Sequence, residues 1–223
     1  GGLTFLKNWI IRSELNNALD KIFVRDIKSN KEEELIFTDE EVYDASISHT
    51  QRDRNTDLIY ISYSTPKTQA RTYLYNLKTK EKKLVKEQII PSGHDSKNYI
   101  VQRVECNSDD GRKVPLTITR HKDTPLDGSA NLLLYGYGSY GASMSPSFSS
   151  TRLSLINRNI IWVTAHIRGG MERGMKWWKE GKLLNKKNTF NDYIAAAKFL
   201  IEKKYTSKGK IIGMGGSAGG LLM

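Results

Sequence analysis

Between residues 3 and 88 apolar and polar positions alternate in short runs, and β-branched and aromatic residues fill the apolar ones. Period-two runs of this kind predict half-buried strands at residues 3–12, 21–27, 34–38, 58–64, 71–77 and 83–86, with a polar hairpin connection over 76–81. Six strands with no helix between them predict antiparallel meanders. Four-stranded meanders are the unit of a β-propeller, of which about one and a half blades are legible here, too few to close a ring.

Pro91 and Gly93 interrupt the pattern at residues 90–95, which reads as a linker. Beyond it the periodicity changes. Residues 99–105 and 113–119 flank a hairpin whose Asp110-Gly111 turn suits positive φ. Residues 131–135 and 159–165 are nearly continuous apolar runs, as expected of strands buried on both faces. From Asn188 a helix is predicted, with Phe190, Tyr193, Ile194, Ala197, Leu200 and Ile201 as its apolar stripe and Asn188 or Thr189 as its cap. Ile211 and Ile212 then end a last buried strand. Hairpin, strand, strand, helix and strand in this order predict an α/β-hydrolase sheet through its nucleophile strand. The expected domains are therefore a partial β-propeller at 1–94 and the N-terminal half of an α/β-hydrolase at 95–223, incomplete on both sides.

Composition changes this picture little. The chain has 223 residues with 38% hydrophobic content and a mean hydropathy of -0.52, which describes a soluble globular protein. No apolar run approaches the roughly 20 residues of a membrane span, and the residues from Gly1 onward show no basic region followed by an apolar stretch. It begins Gly1-Gly2-Leu3 without Met, as a piece of something longer would. The single cysteine, Cys106, excludes an internal disulfide and a cysteine-based metal cluster, so a reducing, cytoplasmic setting is expected. Charge is more informative. Residues 1–94 carry 15 Lys+Arg and 14 Asp+Glu, whereas residues 95–223 carry 20 and 10, so nearly all of the +11 belongs to the second part. The basic residues, including the pairs Arg112-Lys113, Lys186-Lys187 and Lys203-Lys204, are dispersed and not interleaved with aromatics. That disfavours a nucleic-acid surface and favours a solvated basic face or an acidic partner surface.

The chemistry concentrates at the end of the chain. Gly215-Gly216-Ser217-Ala218-Gly219 fits the Gly-x-Ser-x-Gly nucleophile elbow, in which a serine sits at strained φ/ψ between strand and helix. The flanking glycines are required where the two backbones pass closely. The Ala218 N–H would then point to where an oxyanion develops. Two other readings fit the same residues. Gly213-x-Gly215-x-x-Ala218 satisfies a relaxed dinucleotide fingerprint, although too little chain follows to complete a βαβ unit, and a glycine-rich turn with an incidental serine is the plainer reading.

Five motifs occur in the order and context of one family. Tyr135-Gly-Tyr-Gly-Ser-Tyr-Gly141, Ala165-His-Ile-Arg-Gly-Gly170, Trp177-Trp-Lys-Glu-Gly-Lys-Leu-Leu184, Lys187-Asn-Thr-Phe-Asn-Asp-Tyr193 and Gly215-Gly-Ser-Ala-Gly-Gly220 resemble the prolyl oligopeptidase family, and within it oligopeptidase B. Residues 51–57 and 63–66 resemble it more loosely. The resemblance implies a serine peptidase of short peptides capped by a propeller, with cleavage after Arg or Lys in oligopeptidase B-like members and after Pro in prolyl oligopeptidase. It implies no cofactor and no metal. Ser217 matches the family nucleophile and Tyr137 the tyrosine whose hydroxyl is the second oxyanion donor. On the residues alone, Tyr137 is equally open as a packed turn aromatic. Arg168 is a candidate for shaping the floor of the site, or simply part of a tight turn after a strand.

Departures from the family pattern accompany the matches. Triad order in this fold is Ser, Asp, His, yet His49, His94, His121 and His166 all precede Ser217. The chain as it stands is therefore expected to be inactive alone, because a serine without a base is a poor nucleophile. An acidic pair of oligopeptidase B-like proteins falls at Ser145 and Ser147. The expected partners are short basic peptides and a complementing C-terminal segment, with no nucleic acid and no membrane. The alternative is a non-catalytic remnant or binding module of that family.

Overall fold

The computed structural model describes residues 2–48 and 53–223. His49, Gln51 and Arg52 lie outside the described residues. The first part forms two four-stranded antiparallel sheets in sequential order. One holds β1 (Gly2–Phe5), β2 (Trp9–Asn16), β3 (Leu19–Asp26) and β4 (Glu32–Glu34). The other holds β5 (Asp44–Ile47), β6 (Leu58–Ser64), β7 (Arg71–Asn76) and β8 (Lys82–Glu87). Alternation gives each sheet one buried face, and Ile11, Ile22, Val24, Ile47, Ile59, Ile61 and Tyr75 fuse those faces into one core.

Eight strands thus stand where the periodicity predicts six. The run read as one strand at 3–12 is a hairpin, because the chain turns at Leu6 and pairs Phe5 with Ile10. The strand predicted at 34–38 ends at Glu34. Leu35 and Phe37 leave the ladder to fill the core. β5 is too short and too polar for its alternation to register.

The second part is a five-stranded sheet of β9 (Tyr99–Asn107), β10 (Lys113–His121), β11 (Leu132–Tyr135), β12 (Ile161–Ala165) and β13 (Ile211–Met214). Their spatial order is β13-β11-β12-β10-β9. β9, β10 and β12 pair antiparallel, and β11 pairs parallel with both β12 and β13. The Asp110-Gly111 turn closes as expected, with Gly111 at φ +80°. β11 and β12 are buried on both faces, which explains their continuous apolar runs. Leu132, Leu134, Ile161 and Val163 face one way, toward α3 (Lys187–Glu202). Leu133 and Trp162 face α1 (Ser150–Ile156) on the other side. Crossover helices put a sheet's ligand site beyond the carboxyl ends of its parallel strands, and there β11 and β13 both end.

Neither α1 nor α2 (Gly174–Lys179) is predicted by periodicity, since seven and six residues are too few to show a stripe. α3 is where expected, but its inward face is Thr189, Asp192, Ala195, Ala196 and Leu200, while Ile194 and Ile201 face out. Small residues let the helix approach the sheet, and a buried ion pair at Asp192 sets its rotation. Lys186 holds the cap position, and Thr189 lies inside the helix, donating to the Arg168 and Gly181 carbonyls. After Ser217 the chain forms a 3₁₀ run, Ser217–Leu222, in place of the α-helix expected.

Candidate active site

β13 delivers the chain to Gly215 alongside the end of β11, where the Gly136 N–H donates to the Met214 carbonyl. Ser217 follows at φ +52°, in the left-handed region that non-glycine residues enter only at a cost. The two outer glycines are needed here. A Cβ on Gly215 would lie 2.8 Å from the Gly219 carbonyl carbon and 3.1 Å from the Gly136 oxygen. One on Gly219 would lie 3.0 Å from that same oxygen. Gly216, by contrast, is extended and has nothing within 4 Å of a Cβ position. The turn's first bond runs from the Gly219 N–H to the Gly216 carbonyl, so the Ala218 N–H precedes it, among the amides that a helix start leaves without an internal partner. Ser217 is exposed, and its hydroxyl makes no hydrogen bond among the described residues.

Tyr137 is brought to this turn. A Cβ on Gly219 would stand 3.3 Å from its ring and 3.5 Å from its Cα. The loop carrying it is tightly folded, with Gly138, Tyr140 and Gly141 all at positive φ, and the Gly141 N–H donates to the Gly169 carbonyl. Gly138 itself lies against Thr189 and Ile167. The Lys186 ammonium donates to the Gly138 carbonyl at 2.6 Å and to the Ser139 hydroxyl at 2.8 Å. Ser217 and the Ala218 amide, on the turn after β13, and the Tyr137 ring, on the loop after β11, thus meet at one edge of the sheet.

Arg168 does not join them. Its side chain is buried, and every guanidinium nitrogen is committed. Nε and Nη2 donate to Asp192 at 2.9 and 2.6 Å, and Nη1 donates to Asp110 at 2.5 Å. Burial opposes the charge, but the hydrogen bonds to Asp192 and Asp110 outweigh it and hold the guanidinium pKa above its ordinary value. Arg168 therefore ties the hairpin turn at Asp110 to α3 beneath the loop and presents nothing to a ligand. Sequence reasoning missed Asp110, Asp192 and Lys186. The available signal was an acid on the helical face that otherwise carries small residues.

The three described histidines are each engaged elsewhere. His94 Nε2 is 2.7 Å from the Lys67 carbonyl, with its ring between Tyr99 and Phe148. His121 lies against Asp123. His166 is fully buried, and desolvation holds its pKa below the ordinary value despite the nearby Glu172. Arg103 donates to the Thr117 hydroxyl, which is hydrogen-bonded at 2.8 Å to His166 Nε2, so the three side chains form one hydrogen-bonded chain. Around this group the two parts of the chain meet. The Ala18 N–H donates to the Glu172 carbonyl, and Arg103 and Arg173 both donate to Asn17. No helix among the described residues is long and apolar enough to cross a membrane.

Residues 146–223 match the model of the prolyl oligopeptidase family. Dipeptidyl aminopeptidase BI from Pseudoxanthomonas mexicana is 41% identical over the whole chain, which covers 30% of that protein. Protease 2 from Moraxella lacunata is 41% identical over 93% of the chain and 29% of its own length. Among solved structures, oligopeptidase B from Leishmania major superposes on the whole chain with a TM-score of 0.91 at 32% identity, over 32% of its length. The chain thus spans about 30% of the curated relatives it matches.

Proposed function

Since the chain belongs to the prolyl oligopeptidase family, we propose that it is the nucleophile-bearing part of a serine oligopeptidase that cleaves short peptides after Arg or Lys. The observation that carries the reading is Ser217 at φ +52° between Gly215, where a Cβ would clash with backbone, and Gly219, where one would be crowded, with Tyr137 against the same turn. In this reading the Ser217 hydroxyl attacks the scissile carbonyl and forms an acyl-enzyme. The Ala218 N–H and the Tyr137 hydroxyl bind the oxyanion, and a phenol's bond strengthens as negative charge develops there. The two four-stranded sheets are propeller blades that restrict entry to short peptides, and residues 95–223 are the N-terminal half of the catalytic domain.

In this reading the general base and its orienting carboxylate are supplied from outside the described residues, because His94, His121 and His166 are all engaged elsewhere. The acid that recognises a basic substrate side chain lies outside them as well. Residues 95–223 carry a charge of +10, and serines stand at 145 and 147, so this part alone repels a cationic peptide. The test is hydrolysis of arginyl, lysyl and prolyl reporter peptides by the full-length protein and by its Ser217→Ala variant. The reading predicts Ser217-dependent cleavage of the arginyl and lysyl reporters. Cleavage unaffected by Ser217→Ala would overturn the catalytic assignment, and preference for the prolyl reporter would overturn the specificity.

A further inference from the structure

We propose that Lys186 is the positioning residue of the oxyanion site, clamping the backbone that follows Tyr137 and so aiming its phenol at the reacting carbonyl. The inference rests on the function proposed above. Lys186 and Lys187 read in the sequence as one solvated basic pair, yet their fates differ. Lys187 is exposed, whereas Lys186 is half-buried with its ammonium turned into the 136–142 loop. Its donors reach both groups that the loop offers directly after Tyr137, the Gly138 carbonyl and the Ser139 hydroxyl.

Burying an ammonium is unfavourable, and among the described residues no carboxylate pairs with this one; burial holds its pKa below the ordinary value. A half-buried cation that spends its hydrogen bonds on one turn is well suited to fixing that turn, because charge-assisted bonds are shorter and stronger than neutral ones. The turn needs fixing, having residues 138, 140 and 141 in left-handed conformations. On the far side of Tyr137, Gly136 is already held by the Met214 carbonyl and packed against Gly219. Lys186 is the side chain that secures the near side. Tyr137 is thereby fixed between the serine turn and the start of α3.

A double-mutant cycle in the full-length protein tests this, with kcat and KM measured for Lys186→Met, Tyr137→Phe and the pair. Lys186→Met keeps the alkyl stem and is expected to lower kcat about tenfold with KM nearly unchanged, since small displacements of a catalytic group are costly. On the Tyr137→Phe background the same substitution should cost less than about twofold, because the hydroxyl it aims is gone. An equal loss on both backgrounds, or no loss on either, overturns the proposal. Lys186→Gln, which retains a donor, replaces the methionine variant if that protein does not fold. If wild-type hydrolysis is absent or insensitive to Ser217→Ala, the peptidase reading falls and this inference with it. If hydrolysis depends on Ser217 and the cycle is additive, only the role of Lys186 falls.

Discussion

Gly215→Ala should disable the site while Gly216→Ala, one residue along, leaves the fold undisturbed. At 215 the added methyl carbon would meet the carbonyl carbon of Gly219 at 2.8 Å and the oxygen of Gly136 at 3.1 Å. Carbon contacts are optimal at roughly 3.5–4.0 Å, so Gly219 must move away from Gly215 by about 1 Å, which opens the serine turn itself and crowds the Gly136 carbonyl beside Tyr137. Both obstacles are backbone, so no side-chain rotation relieves them. Overpacking of this kind costs about 1–3 kcal/mol of stability. The larger effect is on rate, because a shift of about 1 Å in a catalytic group costs on the order of a hundredfold. Gly216 has open space at its Cβ position and an extended backbone that alanine accepts. The assay is kcat on an arginyl reporter together with thermal unfolding, for both variants of the full-length protein. Wild-type turnover in Gly215→Ala, or equal loss of stability in the two variants, would refute the close-approach argument.

Asp192→Asn leaves Arg168 buried with its main counter-charge removed and should destabilise the protein by about 3–5 kcal/mol in urea unfolding; a loss below about 1 kcal/mol would mean that Asp110 suffices. Asp20, pushed up to about 6 from its ordinary 3.8 by burial and by neighbouring Asp44, against a bond from the Ala45 N–H, gives a pH signature. The folded state holds this proton to higher pH than the unfolded state, so stability falls as pH rises from about 4 to 6. Asp20→Asn should remove that fall, worth about 1–2 kcal/mol at pH 7 after solvent screening, and a stability difference from wild type that is the same at pH 4 and pH 7 would contradict it. The 223 residues purified alone should hydrolyse no arginyl reporter above background, since their described histidines are engaged elsewhere; Ser217-dependent cleavage by this piece would show otherwise.

Much of this arrangement was legible because it depends on local rules. Period-two alternation marked β6, β7 and β8 nearly to the residue, and continuous apolar runs marked β11 and β12. The serine turn was legible because close backbone approach demands glycine at 215 and 219, a requirement written directly in residue type. What was not legible depends on partners distant in sequence. Arg168 looked like a residue of a tight turn because its acids, Asp110 and Asp192, come from a hairpin 58 residues before it and a helix 24 residues after it. The inward face of α3 was misjudged because hydrophobicity ranks Ile194 above Asp192, whereas a fully paired carboxylate is the one that is buried. Lys186 and Lys187 are indistinguishable as letters, and only the path of the 136–142 loop separates them.

The central claim is that Ser217 is the activated nucleophile of the assembled enzyme. It is tested most directly by treating the full-length protein with a fluorophosphonate and locating the adduct by peptide mass spectrometry. The expected result is one phosphonylated residue, Ser217, with peptidase activity falling in step as the label is incorporated. A protein that cleaves arginyl peptides while its adduct falls on another serine, or forms none, would contradict it.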